Sequence, residues 1–204
     1  MDQKRGEGLA IDYKGHLNSL SDLPKGDLPP QAVQYDEAGD LNELVEAVLP
    51  WHWPVLIFIL GLYLVKSLRT GEWVHLPTII GFIAIFPGLF LHEWIHALCF
   101  PRQASVHIYR KLSQGVLLAY STFPVSRNRF IFISLAPALL LGVVPLVIWS
   151  LSMGTGIFVR SCLPFGAALL FGAVGDFYNV ANTLRQVPSD AKVQLSGWHS
   201  YWFR

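Results

Sequence analysis

The sequence predicts an α-helical integral membrane protein with about four transmembrane helices and a β-hairpin between the second and the third. Of the 204 residues, 52% are hydrophobic and only 14% are charged, and the mean hydropathy is +0.42, a composition typical of membrane proteins. The apolar residues are concentrated in four stretches that follow residue 50. A segment of roughly alternating polarity separates the second stretch from the third, which is the pattern of paired strands.

Residues 1–50 are predicted to form a polar, partly irregular N-terminal segment. They carry four basic and ten acidic residues, so their net charge is −6 and that of the remaining chain is +7. Glycine, proline and aspartate are frequent up to residue 39, without a helical or alternating period. Asp40 can then cap a short amphipathic helix over residues 41–49. Because the chain starts with this polar segment, we expect no cleavable signal peptide.

The first two apolar stretches begin the predicted four-span domain of residues 51–186. The first, residues 51–65, is flanked by tryptophans and a lysine, which are suited to a membrane interface. The second, residues 76–100, contains Pro87-Gly88. A proline inside a helix removes a hydrogen bond, so we expect a kink or a restart of the helix at this point.

The last two stretches complete the domain and are also interrupted by prolines. The third covers residues 130–151 and contains Pro137 and Pro145. The fourth covers residues 157 to about 184 and is expected to be interrupted at Pro164. An aromatic C-terminal tail, residues 187–204, follows and could lie at an interface or cover a site.

The distribution of basic residues predicts the orientation of the chain. Four spans place both termini on one side. The loop of residues 101–129 carries five basic residues and the C-terminal residues 185–204 carry three, whereas the opposite side has only three near it. Because basic loops remain inside, both termini are predicted to be cytoplasmic in a multi-pass protein of the cell membrane.

Two further features narrow the possible functions. No basic run is interleaved with aromatic residues, so a nucleic-acid partner is not expected. Cys99 and Cys162 both lie in apolar stretches, which predicts buried thiols and no disulfide framework. The lipid bilayer is the expected environment of the apolar stretches. The sequence does not predict the oligomeric state.

The second apolar stretch contains the motif His92-Glu93-Trp94-Ile95-His96. On a helix, His92 and His96 are one turn apart, so both imidazoles project from one face. Two imidazoles on one face provide half of a zinc site, and the glutamate between them is placed to activate a water at the metal. These polar groups are costly in a bilayer, which favours a functional role. The alternative is a histidine pair satisfied within a helix bundle, which leaves Glu93 unexplained.

Asp176 is the predicted third metal ligand. A catalytic zinc usually has three protein ligands and an open position, and Asp176 is the other charged residue deep in a predicted span. His92 and Asp176 each lie eight residues before the predicted end of their span. Both are therefore expected about 12 Å inside the cytoplasmic end. The alternative is a structural carboxylate paired with Arg160 or hydrogen-bonded to a tyrosine or serine.

The segment between the second and third spans is predicted to form a hairpin. Residues 106–112 and part of 115–122 alternate in polarity, and Ser113-Gln114-Gly115 fits the turn between them. The edge of such a hairpin can bind an extended peptide by strand addition, or the hairpin can be a plain connection. Asn179 lies three residues after Asp176 and Asn182 lies six residues after it, so Asn179 is the better placed to face the site and support it. The alternative is an asparagine that only hydrogen-bonds within the helix bundle.

These residues resemble the intramembrane zinc metallopeptidases of the site-2 protease type, and most of all the bacterial putative zincin peptidase family of small four-span membrane proteins. The resemblance covers roughly residues 76–204 and leaves the first 50 residues unmatched. Its motifs are His92-Glu93-Trp94-Ile95-His96, Pro124-Val125-Ser126-Arg127, Ala136-Pro137 and Gly175-Asp176 followed by Asn179. Site-2 proteases carry the aspartate in a Leu-Asp-Gly motif, whereas Val174-Gly175-Asp176 stands here, so Asp176 corresponds by role and position.

The resulting hypothesis is a membrane zinc endopeptidase that acts on membrane-associated proteins or peptides near the cytoplasmic face. His92, His96 and Asp176 are expected to bind one zinc ion, and Glu93 is expected to take a proton from the attacking water and pass it to the leaving amine. One alternative is a catalytically inactive zinc-binding scaffold or sensor. Another is a different hydrolase or a transporter, although no internal repeat of the kind found in transporters is present.

Overall fold

The computed structural model describes residues 9–17, 19–111 and 116–204. It combines a helical bundle with two small sheets. The helices, in chain order, are α1 (Leu41–Val48), α2 (His52–Thr70), α3 (Ile79–Leu98), α4 (Arg127–Pro137), α5 (Val144–Leu151), α6 (Ile157–Gly172) and α7 (Val174–Gln186). The strands are β1 (Ala10–His16), β2 (Val33–Gln34), β3 (Ser105–Lys111), β4 (Val116–Tyr120), β5 (Val125–Ser126), β6 (Lys192–Ser196) and β7 (His199–Phe203).

The helices form three segments that are long and apolar enough to cross a membrane. These are Leu41–Thr70, Ile79–Leu98 and Arg127–Leu151. The pair α6 and α7 adds a fourth if it is counted as one span, with a bend of 45° between the two helices. The number therefore agrees with the prediction of about four.

The amphipathic helix after Asp40 forms as predicted. Asp40 Oδ1 accepts a hydrogen bond from the Glu43 N–H at 2.9 Å, and Glu43 Oε2 accepts one from the Gly39 N–H at 2.7 Å. These two contacts satisfy amide groups that a helix start leaves without partners. A short 3₁₀ turn, Leu49–Trp51, then leads into α2.

The first span is longer than predicted. Helix α2 ends at Thr70 rather than near residue 65, where Gly71 adopts a left-handed conformation with φ of 73°. Glycine takes this conformation at no steric cost, and its N–H bonds back to the Ser67 carbonyl. The hydropathy of the sequence decreases before the helix ends, because α2 continues through the polar residues Lys66 to Thr70.

The predicted proline interruptions are only partly correct. Helix α3 is continuous through Pro87, so the helix does not restart there. In the third segment, a π-helical stretch, Ala138–Val143, connects α4 and α5 and lies between Pro137 and Pro145. A proline provides no N–H for the regular helical bond, and a wider turn is a common local adjustment.

The interruption of the fourth segment lies at a different residue from the predicted one. Pro164 is inside α6, and the break occurs at Ala173, whose N–H bonds to the Leu170 carbonyl. A bond to the carbonyl three residues earlier tightens the last turn and ends the helix. Asp176 consequently lies in the first turn of a new helix, α7.

The N-terminal segment is more ordered than predicted. Strand β1 pairs in parallel with β3, and β3 pairs antiparallel with β4, which gives the order β1-β3-β4. Strand β2 joins a second sheet of order β2-β7-β6-β5. The prediction of irregular structure is therefore wrong for Ala10–His16 and Val33–Gln34. Both strands pair with segments far away along the chain, and local residue patterns do not reveal such pairing.

The segment between α3 and α4 contains two antiparallel strands. Ile108 pairs with Ala119 in β3 and β4, while the predicted turn Ser113-Gln114-Gly115 lies outside the described residues. The C-terminal tail folds as the antiparallel pair β6 and β7. Gly197 lies between these strands with φ of 63°.

Two hydrophobic clusters connect these layers. One lies between the helices and includes Val55, Leu146 and Leu170. The other joins the end of α3 to both sheets and includes Ala97, Val106 and Val193. The outer helix faces are apolar and exposed: Ile57 on α2 is 67% exposed and Phe86 on α3 is 72% exposed.

Candidate metal centre

His92 and His96 lie on one face of α3, as the motif predicts. Their Nε2 atoms are 3.1 Å apart, and both side chains are nearly buried. One helical turn separates the residues, so the two rings meet on the side of α3 that faces α4 and α7.

Asp176, in the first turn of α7, lies close to both histidines. Its Oδ2 is 3.1 Å from His92 Nε2 and its Oδ1 is 3.2 Å from His96 Nε2. The alternative partner, Arg160, is not near it, because the Arg160 Nε donates to the Leu76 carbonyl at 2.9 Å. The structure thus brings together the three residues predicted as ligands.

The contact made by His96 Nδ1 determines which nitrogen of this ring carries the proton. His96 Nδ1 lies 2.8 Å from the Ile133 carbonyl oxygen, which can only accept a hydrogen bond. His96 Nδ1 therefore carries a proton, and in the neutral ring Nε2 presents a lone pair to His92 and Asp176. A metal-binding histidine commonly has such a support on its second nitrogen.

The three donors fit a zinc ion. His92, His96 and Asp176 each offer one ligand atom, all within 4.8 Å of one another. Ligand atoms of a tetrahedral zinc at about 2.0–2.1 Å lie about 3.3 Å from one another, close to the separations seen here. Two imidazole nitrogens and a carboxylate that converge this closely are all satisfied by one cation. The cluster can therefore hold a metal ion.

Glu93 is held beside this cluster by strand β4. Its Oε2 accepts a hydrogen bond from the Ala119 N–H at 2.7 Å. In the sheet β1-β3-β4, β4 is an edge strand, so this N–H is not used by the neighbouring β3. The carboxylate lines the same cavity as the metal-binding residues.

A cavity of about 280 Å³ opens onto the cluster. It is lined by His92, Glu93, His96 and Asp176 together with residues of several neighbouring elements. Helix α1 contributes Leu41 and Leu44, strand β4 contributes Leu117, Leu118 and Ala119, and the C-terminal hairpin contributes Leu195 and Trp198. A substrate in this cavity would contact the predicted ligands and an unpaired strand edge at once.

A second cavity, of about 150 Å³, adjoins the first. The two share the wall residues Leu44, Leu118, Asn179, Leu195 and Trp198. Glu37 lines this second cavity with a side chain that is only 9% exposed. Burial raises the pKa of Glu37 to about 7, although a hydrogen bond from the Ser200 N–H opposes this shift.

The sequence identified the charged residues of the site but not the backbone groups that hydrogen-bond to His96 and Glu93. The Ile133 carbonyl and the Ala119 N–H are backbone groups, which no side-chain motif reveals. Of the two asparagines, Asn179 lines the cavity, whereas Asn182 is buried and its Oδ1 accepts from the Arg185 guanidinium at 3.2 Å. The sequence indicated this difference between the asparagines, because Asn179 is three residues after Asp176 and Asn182 is six residues after it.

The comparisons with known proteins agree with this geometry. No curated protein and no solved structure matches the chain. The model of the family described as "Putative zincin peptidase" matches residues 85–192. This region is just over half of the chain and includes the His92–His96 motif, Asp176 and the strands beside them. The chain therefore belongs to the putative zincin peptidase family.

Proposed function

We propose that this protein is a membrane-embedded, zinc-dependent endopeptidase that hydrolyses peptide bonds of membrane-associated substrates near the cytoplasmic face. The observation that carries the proposal is the position of Glu93 within one cavity with His92, His96 and Asp176. A metal site alone could be structural. A carboxylate beside three ligands, in a cavity open to a substrate, is the arrangement needed for hydrolysis.

The reaction proposed for this site is the addition of water to a peptide carbonyl. Zinc, when bound, would act as a Lewis acid that makes water more acidic and polarises the scissile carbonyl. Glu93 takes a proton from the attacking water as its oxygen bonds to the carbonyl carbon. Glu93 then gives this proton to the nitrogen of the leaving amine as the C–N bond breaks. The Ala119 N–H orients the carboxylate through Oε2, which leaves Oε1 to hold the proton.

Strand β4 is the proposed platform for the substrate. Among the described residues it pairs with β3 on one side only, and its residues Leu117 to Ala119 line the cavity. Backbone groups two residues apart point to the same side of a strand, so Leu117 presents its N–H and C=O along the edge used by Ala119. An extended peptide can add to this edge, which would keep a substrate helix unwound beside Glu93.

The membrane location rests on the apolar helices. Three helical segments, or four with the bent pair, are long and apolar enough to span a bilayer, and their outer faces expose many large apolar side chains. Such a surface is costly in water and favourable in lipid. The basic residues of the 101–129 loop and the C-terminal tail support cytoplasmic termini. Within this proposal, residues 51–186 form the four-span domain. The resemblance to site-2 proteases then includes the catalytic mechanism as well as the sequence motif.

The experiment that tests the function compares the wild type with Glu93→Gln. Glutamine can still accept the Ala119 N–H but cannot take a proton. Purified full-length protein in detergent is assayed for bound zinc by mass spectrometry and for cleavage of a library of membrane-segment peptides. We expect one zinc per chain in both proteins, and a rate for Glu93→Gln that is lower by roughly 10²- to 10⁴-fold.

Glu46→Gln is the matched control, because it makes the same chemical change at an exposed position of α1. It should retain zinc and the wild-type rate. Cleavage by Glu93→Gln at the wild-type rate would contradict the assignment of the base. Full zinc occupancy without cleavage by the wild type would identify the protein as a zinc-binding scaffold or sensor.

A further inference from the structure

The second cavity contains a buried carboxyl group that the proposed chemistry does not use. Glu37 lines this cavity, and its side chain is only 9% exposed. A carboxylate removed from water is costly unless a positive group or hydrogen-bond donors compensate for it. The surroundings of Glu37 therefore indicate which kind of group the cavity accommodates.

One oxygen of Glu37 has a partner within the protein. Glu37 Oε1 accepts from the Ser200 N–H at 2.5 Å. His199 Nδ1 is 3.8 Å from the same oxygen, which is too far for a hydrogen bond. Among the described residues, Ser200 is the one hydrogen-bonding partner of this carboxylate, through its N–H and its hydroxyl. A carboxylate has about four acceptor positions, so Glu37 can still accept a hydrogen bond from a group that enters the cavity.

The backbone around Glu37 is held in place from two sides. The Ala38 N–H donates to the Tyr178 hydroxyl of α7 at 3.0 Å, and the Trp198 indole N–H donates to the Ala38 carbonyl at 2.9 Å. The Tyr35 N–H donates to the Ser200 carbonyl at 2.9 Å. The carboxylate is thus positioned before any ligand binds, which lowers the entropic cost of recognition.

The other walls of the cavity suit a cation. Tyr120, Tyr178 and Trp198 provide aromatic surface, which attracts positive charge. Among the described residues that line the cavity, Glu37 is the one charged side chain. The only charge that these lining residues can carry is therefore negative, and the cavity is small enough for a single side chain.

We propose that this second cavity is a specificity subsite that binds a positively charged group of a peptide substrate, with the Glu37 carboxylate as its counter-charge. The group is a lysine or arginine side chain or a free N-terminal amine. Because the two cavities share five wall residues, a peptide on β4 can place this group beside Glu37 while its backbone lies at the metal site. The subsite rests on the proposed peptidase function but makes a separate claim about binding.

The test measures binding without cleavage. Full-length protein carrying Glu93→Gln in a detergent micelle is titrated with fluorescent peptides, acetylated at the N-terminus, in which a single lysine is moved through every position. Each peptide is matched with one that has norleucine at the same position. A second set with a free N-terminus separates recognition of the amine from recognition of the side chain.

We expect lysine to bind at one position roughly tenfold or more tightly than norleucine, because a desolvated charge pair contributes strongly to recognition. The added change Glu37→Gln should reduce this ratio to near one. Glutamine can still accept the Ser200 N–H, and thermal unfolding checks that the fold is retained. The control change Glu46→Gln should leave the ratio as it was.

The outcomes separate this inference from the proposed function. A preference for the positive group that persists in Glu37→Gln overturns the subsite. Equal binding of lysine and norleucine at every position, together with equal binding of free and acetylated N-termini, overturns it as well. If the wild type cleaves peptides without such a preference, the peptidase function stands and the subsite fails. If lysine binds through Glu37 but the wild type cleaves nothing, the subsite stands and the peptidase function fails.

Discussion

His96 has only one nitrogen available for a metal, because Nδ1 donates to the Ile133 carbonyl. Helix α4, which provides this carbonyl, thereby sets the orientation of a ring on α3. The three candidate ligands could be selected from the sequence, because their side chains are costly in an apolar helix without a function. The backbone supports of His96 and Glu93 could not, because they depend on how the helices and β4 pack.

Replacement of Asp176 by asparagine should weaken zinc binding while retaining the volume of the side chain. The loss of a charged ligand should cost more than the roughly 10- to 100-fold in affinity that removal of a supporting contact costs. Competition with a zinc-chelating dye measures the affinity. Asn179→Ala is the control, since Asn179 lines the cavity but is not one of the three ligands. Normal zinc affinity in Asp176→Asn would require another third ligand.

Glu37 should make the stability of the protein depend on pH. Burial raises its pKa from 4.5 to about 7, so the folded state binds more protons than the unfolded state between these values. The free energy of unfolding should therefore fall as the pH rises through this range, by up to about 3 kcal/mol from this residue. Chemical unfolding at pH 5 and pH 8 should show a smaller decrease for Glu37→Gln. Equal decreases in both proteins would assign the effect to groups other than Glu37.

At the level of elements, the close contact between α3 and α6 determines the position of α3, the helix that carries His92 and His96. Gly81 of α3 lies against Pro164 and Ser161 of α6, and a Cβ atom at Gly81 would lie 2.6 Å from the Ser161 carbonyl oxygen. The sequence identified the helices, because a run of apolar residues is a strong local signal. It did not locate the break at Ala173, because prolines are tolerated where neighbouring helices support the chain.

Gly81→Ala should destabilise the bundle. A methyl group at this position meets backbone atoms of α6 that cannot move independently, and overpacking of this kind costs about 1–3 kcal/mol. Gly61→Ala on α2 is the matched control, because nothing lies within 4 Å of its Cβ position. Thermal unfolding in detergent should give a lower Tm for Gly81→Ala and an unchanged or slightly higher Tm for Gly61→Ala. The same Tm for both variants would show that α3 and α6 can move apart at low cost.

At the level of the whole molecule, the candidate site is assembled from distant parts of the chain. Helices α3 and α7 provide the predicted ligands, β4 orients Glu93, and α1 and Trp198 complete the cavity. The predicted number of spans agrees with the helices of this assembly, and the three predicted ligands lie close enough together to hold a metal ion. The contribution of the N-terminal segment could not be predicted, because β1 and β2 are defined by partners about 95 and 167 residues away in sequence.

The proposed orientation can be tested with cysteines on opposite ends of the bundle. Gly154 lies between α5 and α6 and Ser189 follows α7, and both are exposed. In intact cells, a membrane-impermeant maleimide should label Gly154→Cys but should label Ser189→Cys only after permeabilisation. The wild type, with Cys99 and Cys162, measures the background. The reverse pattern would place the metal site on the outer side.

The strand pairings also impose a parity rule on any bilayer crossing. Two strands can pair only if they are on the same side, so the chain between them must cross an even number of times. Between β5 and β6 lie the segment Arg127–Leu151 and the bent pair α6 and α7. If the first of these crosses, the bent pair must cross as well, since a single crossing would separate β5 from β6. The same rule applies to β1 and β3, which pair with each other. Helices α2 and α3 lie between these strands in sequence, so either both cross the bilayer or neither does. The small sheets thus select four crossings over three.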